Sequence, residues 1–298
     1  MVSAQNFDAS TPLATELAHL TERRAAIARA SVPRPPATRI FTVANQKGGV
    51  GKTTTTVNIA AALASFGAQV LVIDLDPQGN ASTALGIDKH GDIDSIYDAV
   101  VRGAELGEAV QVSPENPNLF CVPATLDLAG AEIELVSMAD REHLLDRALR
   151  QYLSTPKGST LDYVFIDCPP SLGLLTINAC VAAREVLIPI QCEYYALEGV
   201  SQLVGSIDMI RSHLNPGLLL STILLTMFDS RTNLAHQVVD DVRQHFPTQT
   251  LNAIIPRSVR VSEAPSFGQT VIAYDASSPG SVSYQEAAIE IAQRGVTR

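Results

Sequence analysis

Residues 44–54 read Ala-Asn-Gln-Lys-Gly-Gly-Val-Gly-Lys-Thr-Thr, and this stretch decides the fold of the chain. The run that precedes it, Ile40-Phe41-Thr42-Val43, has the β-branched and aromatic content of a buried strand. The alanine-rich segment that follows, residues 52–66, contains no Pro or Gly and is typical of a helix. Strand, glycine loop and helix in this order are the context of a phosphate-binding P-loop.

The side chains of the loop predict how a nucleotide would be bound. Glycines allow a tight turn in which backbone N–H groups converge on phosphate oxygens, and the following helix adds the positive end of its dipole. Lys52 would bridge the β- and γ-phosphates, the Thr53 hydroxyl would bind Mg²⁺, and Thr54 would reach the α-phosphate. The predicted nucleotide-binding residues of the loop are Lys47, Gly48, Gly49, Val50, Gly51, Lys52, Thr53 and Thr54.

The loop departs from the ordinary pattern G-x-x-x-x-G-K-[ST], which needs glycine where this chain has Gln46. The variant K-G-G-x-G-K-[ST] fits every position. In this the sequence resembles the deviant Walker A ATPases, and within them the ParA/Soj chromosome- and plasmid-partition proteins, from about residue 39 onward. The resemblance implies that Lys47 reaches across a nucleotide-sandwich dimer to the partner's phosphates, and that Gly48 keeps the interface close.

A second motif, residues 70–80, reads Val-Leu-Val-Ile-Asp-Leu-Asp-Pro-Gln-Gly-Asn. Its apolar run is typical of a central parallel strand, and its acids then lie beside the phosphate loop, where α/β sheets place their ligands. The string D-x-D-P-Q-G-N resembles the ParA version of this segment, which implies that Asp76 orients the attacking water and Asp74 supports the metal region. Alternatively, both carboxylates are helix caps or turn residues.

A third strand ends in an acid, Tyr163-Val164-Phe165-Ile166-Asp167, followed by Cys-Pro-Pro-Ser-Leu-Gly. This Walker B-like string again resembles the family, and the resemblance implies that Asp167 holds Mg²⁺ through water. A buried carboxylate without a metal or donor partner would be costly.

The charge count favours a mechanism with two lysines, Lys47 and Lys52, and the resemblance adds Asp76 to the catalytic set. ATP carries about four negative charges, of which Mg²⁺ neutralises two and Lys52 one. A Lys47 donated in trans supplies the fourth positive charge, as an arginine finger does in other enzymes. We therefore expect an ATPase whose hydrolysis requires dimerisation and is slow without a stimulating partner.

The C-terminal third contains two further strings that resemble ParA/Soj proteins, residues 226–233 and residues 255–268. The resemblance implies that Pro256 and Ser258 border the adenine. It also implies that Arg231 and Arg260 bind DNA without sequence preference, with Arg257 and Arg243 as weaker candidates. Taken alone, each arginine is more often a solvated or ion-paired surface residue, and the resemblance is what favours DNA binding for Arg231 and Arg260.

Composition and pattern predict the architecture. Of the 298 residues 46% are hydrophobic, and apolar strands alternate with helical segments. We expect an α/β fold: a single P-loop domain over residues 39–298, with a mostly parallel twisted sheet flanked by helices on both faces. Residues 1–38 form an N-terminal extension with a Pro-rich linker, either a poorly ordered tail or a short helix that docks on the domain or on a partner.

Compartment and charge limit the possible functions. The sequence contains no signal peptide, no run long enough to span a membrane and no C-x-x-C pair, which favours a cytoplasmic protein with reduced, mostly buried thiols. A net charge of −10 argues against a protein that coats nucleic acid with its whole surface, but it leaves room for a local basic patch.

Four classes of function compete, one of them a ligase-like ATP-dependent biosynthetic enzyme, for which no substrate signature is visible in the sequence. The resemblance favours a nucleoid-associated partition ATPase that uses ATP/ADP and Mg²⁺, forms a homodimer with ATP, binds non-specific DNA and is stimulated by a ParB-like centromere-binding protein. A MinD-like positioning ATPase shares this chemistry but needs a basic amphipathic C-terminal helix for membranes. An iron–sulfur carrier of the nitrogenase iron-protein type needs paired cysteines at the dimer axis.

Overall fold

The computed structural model describes residues 12–89, 93–193 and 196–295. Its strands are β1 Arg39–Val43, β2 Val70–Asp74, β3 Gln111–Val112, β4 Leu119–Val122, β5 Tyr163–Asp167, β6 Glu185–Gln191, β7 Leu219–Phe228 and β8 Thr250–Pro256. They form one sheet in the order β3-β4-β2-β5-β1-β6-β7-β8, in which every neighbouring pair is parallel except β3 and β4. This confirms the predicted mostly parallel α/β sheet.

The helices of the described residues are α1 Pro12–Arg29, α2 Lys52–Ser65, α3 Asn80–Ala84, α4 Leu128–Leu135, α5 Leu144–Leu153, α6 Leu174–Ala182, α7 Ala196–His213, α8 Asn233–His245, α9 Val259–Glu263, α10 Val271–Tyr274 and α11 Pro279–Arg294. A π-helical turn spans Asp98–Arg102. Short 3₁₀ turns occur at Leu106–Ala109, Gly158–Thr160 and Ala264–Phe267.

Helices cover both faces of the sheet, as the continuous apolar strands predicted. All residues of β2 are buried, and successive side chains point to opposite faces because the side-chain period of a strand is two. Val70 and Val72 belong to a core cluster with α2 and α11, whereas Leu71 and Ile73 belong to a cluster with α4, α5 and α6. The phenyl rings of Phe41 and Phe165 stack at 5.1 Å between neighbouring strands.

The register of the central strands brings the predicted motifs together. β1 lies between β5 and β6, and β5 lies between β1 and β2. Val43, the last residue before the glycine loop, pairs with Asp167, and Asp74 pairs with Asp167 from the other side. The phosphate loop and both acidic motifs therefore share the carboxyl edge of the sheet.

The N-terminal extension contains a docked helix. Residues 12–29 form α1, which corresponds to the second of the two alternatives for the extension, a short helix. Ile27 is buried in a cluster with Val282 and Ile289 of α11. The first eleven residues lie outside the described residues, and the division of the chain at residue 38 stays a prediction.

The cysteines agree with the expectation of buried thiols, because Cys121, Cys168, Cys180 and Cys192 are all free and buried. Among the residues that the structure describes, no helix combines the length and apolar character needed to cross a membrane.

Candidate nucleotide site

The phosphate loop turns directly into α2. Gly49 and Gly51 have φ values of +73° and +89°, a region that residues with a Cβ rarely adopt, and Gly51 is the N-cap of α2. The loop forms one wall of a cavity of about 660 Å³ at the carboxyl edge of the sheet. The cavity is lined by Gly48, Gly49, Gly51, Lys52, Thr53, Thr54, Asp76, Pro77, Gln78, Asn80, Leu128, Ala129, Glu132, Pro169, Pro170, Ser171, Leu175 and Met227. A helix N-terminus that opens on such a cavity attracts anions.

Lys52 is held inside this cavity. Its side chain is nearly buried, and its Nζ donates a hydrogen bond of 3.3 Å to the backbone carbonyl of Lys47. Burial lowers the pKa of Lys52, and the carboxylates of Asp167 and Asp76 oppose the shift. A buried ammonium at this position needs an anion, which a nucleotide phosphate would supply.

Lys47 is placed differently, although it belongs to the same loop. It does not line the phosphate cavity; its Nζ forms an ion pair of 3.2 Å with Glu193, just after β6. The backbone N–H of Lys47 donates to Asn45 Oδ1, and Asn45 Nδ2 donates to the carbonyl of Pro189 in β6. The loop is thus anchored to β6 while the lysine side chain stays half-exposed at the rim.

Asp167 has the features of a metal-binding carboxylate. Its Oδ1 accepts a hydrogen bond of 3.0 Å from Thr56 Oγ1, whereas its buried Oδ2 has no hydrogen-bond partner. Burial raises the pKa of Asp167, the neighbouring Asp74 carboxylate raises it further, and the Thr53 and Thr56 hydroxyls oppose the rise. An orphaned carboxylate oxygen beside Thr53 fits Mg²⁺ or a water bound to it, since Mg²⁺ prefers oxygen ligands.

Asp74 and Asp76 differ in environment. Both carboxylate oxygens of the fully buried Asp74 are occupied: Oδ2 accepts from Ser82 N and Oγ, and Oδ1 accepts from Asp76 N. Asp74 therefore holds the turn that leads into α3, and its support of a metal region stays a prediction. Asp76 lines the cavity, and its Oδ1 also accepts from the N–H of Gln78.

A second cavity of about 220 Å³ adjoins the phosphate loop. Pro256 and Ser258 line it, as do Gly51 and Thr54 of the phosphate loop and Tyr284 of α11. The structure thus brings the two residues predicted to border the adenine next to the loop predicted to bind the phosphates.

The predicted DNA-binding arginines follow β7 and β8: Arg231 and Arg257 lie in the loops after these strands, and Arg260 lies in the short helix α9. The side chain of Arg231 is 84% exposed and forms a bidentate ion pair with Asp229, at 2.8 and 2.6 Å. Arg260 pairs with Glu263 at 3.3 Å and with Asp275 at 3.6 Å. Arg257 is exposed, and its N–H donates to the carbonyl of Phe228, which joins the two loops.

Several cavity residues escaped the sequence analysis. α4 contributes Leu128, Ala129 and Glu132, and the loop after β5 contributes Pro169 and Ser171. Pro169 and Ser171 belong to the string after Asp167 that carries the family resemblance, whereas nothing in the local pattern of the α4 residues distinguishes them from ordinary helix residues. The same is true of Glu193, whose pairing with Lys47 joins residues 146 positions apart.

Comparison with known proteins decides the family. A family model described as an AAA domain matches residues 38–220. The chain is 52% identical over 256 residues to the chromosome partitioning protein ParA of Myxococcus xanthus, covering 86% of this chain and 88% of that protein. It is 49% identical over 257 residues to the sporulation initiation inhibitor protein Soj of Bacillus subtilis, covering 86% of this chain and 99% of that protein.

The chain belongs to the ParA/Soj family of partition ATPases. Among solved structures, the ParA/Soj chain is similar to a cobyrinic acid a,c-diamide synthase from Mycobacterium smegmatis with bound ATP analogue and magnesium, with a TM-score of 0.71 and 39% identity over 84% of this chain and 93% of that one. It is also similar to MinD from Pyrococcus horikoshii complexed with Mg-ADP, with a TM-score of 0.67 and 25% identity over 84% of this chain and 94% of that one.

Proposed function

We propose that this ParA/Soj chain forms an ATP-dependent sandwich dimer, binds DNA without sequence preference and hydrolyses ATP when a ParB-like centromere-binding protein stimulates it. It would act in the cytoplasm on the nucleoid and drive segregation of a chromosome or plasmid. The observation that carries this proposal is the position of Lys47, which belongs to the phosphate loop but lies outside its own phosphate cavity.

The nucleotide chemistry follows from the cavity. Backbone N–H groups of the loop and Lys52 would hold the phosphates, while Thr53 and Asp167 would hold Mg²⁺, which neutralises charge on the β- and γ-phosphates when bound. Asp76 lies on the cavity wall, where it would orient the water that attacks the γ-phosphate. The partner subunit's Lys47 would complete the charge balance, so turnover depends on the dimer.

Exposed apolar side chains beside the cavity support a face-to-face dimer. Leu126 and Ile133 are 79% and 80% exposed, and Val136 is also exposed. They lie on or next to α4, the helix that contributes Leu128 to the cavity wall. A cluster of exposed aliphatic groups at a ligand cavity is typical of a protein interface, and a second copy that faces this cavity would cover it.

The arginine loops support DNA binding by the same dimer. Arg231 and Arg257 are exposed on two adjoining loops at the carboxyl edge of the sheet, and Arg260 is exposed on α9, three residues after Arg257. About three phosphate contacts per subunit give a salt slope of about −2.7, and two subunits on one duplex give about −5.4. Raising salt from about 50 to 200 mM would weaken DNA binding by the dimer about 10³-fold, but DNA binding by the monomer only a few tens of times. Nucleotide-controlled dimerisation would thereby control DNA binding.

A MinD-like membrane role is the alternative, and the packing of α11 counts against it. Ala288, Ile291 and Ala292 are buried against the core, so the apolar face of this helix is already covered within the domain. Ile289 packs against α1. A helix that lies on a membrane needs such a face free.

The iron–sulfur alternative needs thiols that two subunits can present to each other. All four cysteines are buried, and the Cys168 thiol shares a hydrogen bond with the Thr42 hydroxyl inside the sheet. Their positions favour structural thiols.

The decisive experiment measures ATP hydrolysis with and without duplex DNA and a candidate ParB. We expect the highest rate with both present, no ATP-driven assembly for Lys52→Ala, and a dimer that stays on DNA for Asp76→Ala. Light scattering that finds Asp76→Ala monomeric at saturating ATP would overturn the proposal.

A further inference from the structure

The guanidinium of Arg23 joins the extension helix α1 to the ATPase domain. Arg23 Nε donates to Glu286 Oε1 at 2.8 Å, and Nη2 donates to Glu286 Oε2 at 2.6 Å and to Ser283 Oγ at 2.8 Å. These side chains are partly shielded from solvent, with Arg23 25% and Glu286 30% exposed. A bidentate, charge-assisted pair of this kind fixes both distance and orientation.

Apolar packing also joins α1 to the domain. Ile27 packs on Val282 and Ile289 of α11, but a cavity of about 620 Å³ lies where α1 passes β8. Leu20 lines this cavity from α1, and Pro256 lines it from the end of β8. Both Arg23 and Ile27 of α1 therefore contact the domain through α11.

The neighbouring face of α11 lines the cavity assigned to the adenine. Ser283 and Glu286 face α1, whereas Tyr284 lines the base cavity. At the start of α11, a Cβ on Gly280 would meet Val261 Cγ2 at 2.5 Å, so the helix and the wall of the base cavity are in close contact. A displacement of α11 would change the shape of this cavity, because closely packed interiors transmit strain.

We propose that Arg23 is a positioning residue for the base of the nucleotide: by fixing α11 it sets the shape of the cavity between Ser258 and Tyr284. This inference rests on the proposed nucleotide site. The family model begins at residue 38, beyond α1, and the Bacillus Soj alignment covers nearly all of that protein but only 86% of this chain. Arg23 thus lies outside the part of the chain that the family model matches.

The test compares a ligand that has a base with one that lacks it. Calorimetry would measure binding of Mg-ADP and of Mg-pyrophosphate to the full chain and to Arg23→Ala. We expect Arg23→Ala to weaken the binding of Mg-ADP by about twofold to thirtyfold, which is the range of coupling through packed contacts. The affinity for Mg-pyrophosphate should stay unchanged. Arg102→Ala, which removes an ion pair with Asp98 remote from α11, is the matched control and should change neither.

Charge reversal provides the rescue. Arg23→Glu alone should weaken Mg-ADP at least as much as Arg23→Ala, and adding Glu286→Arg should restore most of the affinity. Arg23→Lys keeps the charge but loses the bidentate geometry, so its affinity for Mg-ADP should lie between those of the wild type and Arg23→Ala.

Two results would overturn the inference: unchanged Mg-ADP affinity in Arg23→Ala, or equal weakening of both ligands, which indicates general loosening of the domain. A wild-type chain that binds neither ligand would overturn the nucleotide site and this role together. Failure of dimerisation or DNA binding, with Mg-ADP binding intact, would overturn the partition proposal alone.

Discussion

Replacing Arg231 by alanine tests the DNA interface quantitatively. Its side chain is 84% exposed on the loop after β7, so the substitution removes a cation without opening a cavity in the core. A dimer loses two phosphate contacts, one per subunit, and each contributes about −0.9 to the salt slope. The slope should therefore change from about −5.4 to about −3.6, and a rise from about 50 to 200 mM salt should weaken binding about 150-fold instead of about 10³-fold.

The assay is fluorescence anisotropy of a labelled duplex of arbitrary sequence, titrated with protein and ATP over a salt series. Both proteins carry Asp76→Ala, so that hydrolysis does not dissolve the dimer during the measurement. Arg150→Ala is the matched control, because Arg150 is 70% exposed and paired with Asp146 on α5, away from the arginine loops. A slope that stays near −5.4 in Arg231→Ala would refute the assignment of Arg231 to a phosphate contact.

Replacing Asp229, the ion-pair partner of Arg231, should strengthen DNA binding, whereas replacing Arg231 should weaken it. The two hydrogen bonds from the Arg231 guanidinium hold the pKa of Asp229 well below its usual range, so Asp229 stays charged and competes with DNA phosphate at every working pH. Asp229→Asn should therefore tighten DNA binding, by up to about fivefold for an exposed pair. Weaker binding in the same anisotropy assay would show that Asp229 orients the arginine for DNA instead.

Three further outcomes follow from the site. Lys47→Ala should lose the DNA- and ParB-stimulated ATPase rate, measured by phosphate release, while it keeps Mg-ADP binding; full stimulated turnover would contradict a role in trans. Gly51→Ala should lower the free energy of unfolding by about 1–2 kcal/mol in denaturant titration, because φ is +89° there, whereas Ala64→Gly in the buried part of α2 reports an ordinary helix cost of about 1 kcal/mol. Burial raises the pKa of Cys180 and of Cys192 to about 12, so thiol reagent at pH 8 should label all four cysteines far faster in unfolded than in native protein; rapid native labelling would contradict their burial.

The sequence predicted the centre of the fold well because its signals are local. The apolar runs before the glycine loop and before Asp74 and Asp167 became β1, β2 and β5, and the glycine loop passes directly into α2 as expected. Boundaries were less accurate. The sequence of residues 140–153 predicts an amphipathic helix, which begins only at Leu144. The sequence of residues 92–101 also predicts a helix, and its described part is a short stretch that ends in a π-helical turn at Asp98–Arg102.

The contacts that complete the site could not be predicted from local pattern. Glu193 reaches Lys47 only because β6 lies beside β1, and neither periodicity nor composition records which strands become neighbours. Likewise, Thr56 was simply one of four consecutive threonines in the sequence, and only the packing of α2 against β5 makes it the donor to Asp167. The docking of α1 depends on Arg23 meeting a helix more than 250 positions away.

The order of the sheet confines the arginines proposed to bind DNA to one side of an acidic chain. The arginine loops follow β7 and β8, at one end of the strand order, whereas the chain as a whole carries ten negative charges in excess. At the proposed DNA interface, a duplex would therefore be repelled in most orientations and bound only when the side that carries the arginines faces it. Once one subunit of the proposed dimer is lost, the remaining monomer would dissociate quickly from the duplex, because the net negative charge of the chain repels the DNA phosphates.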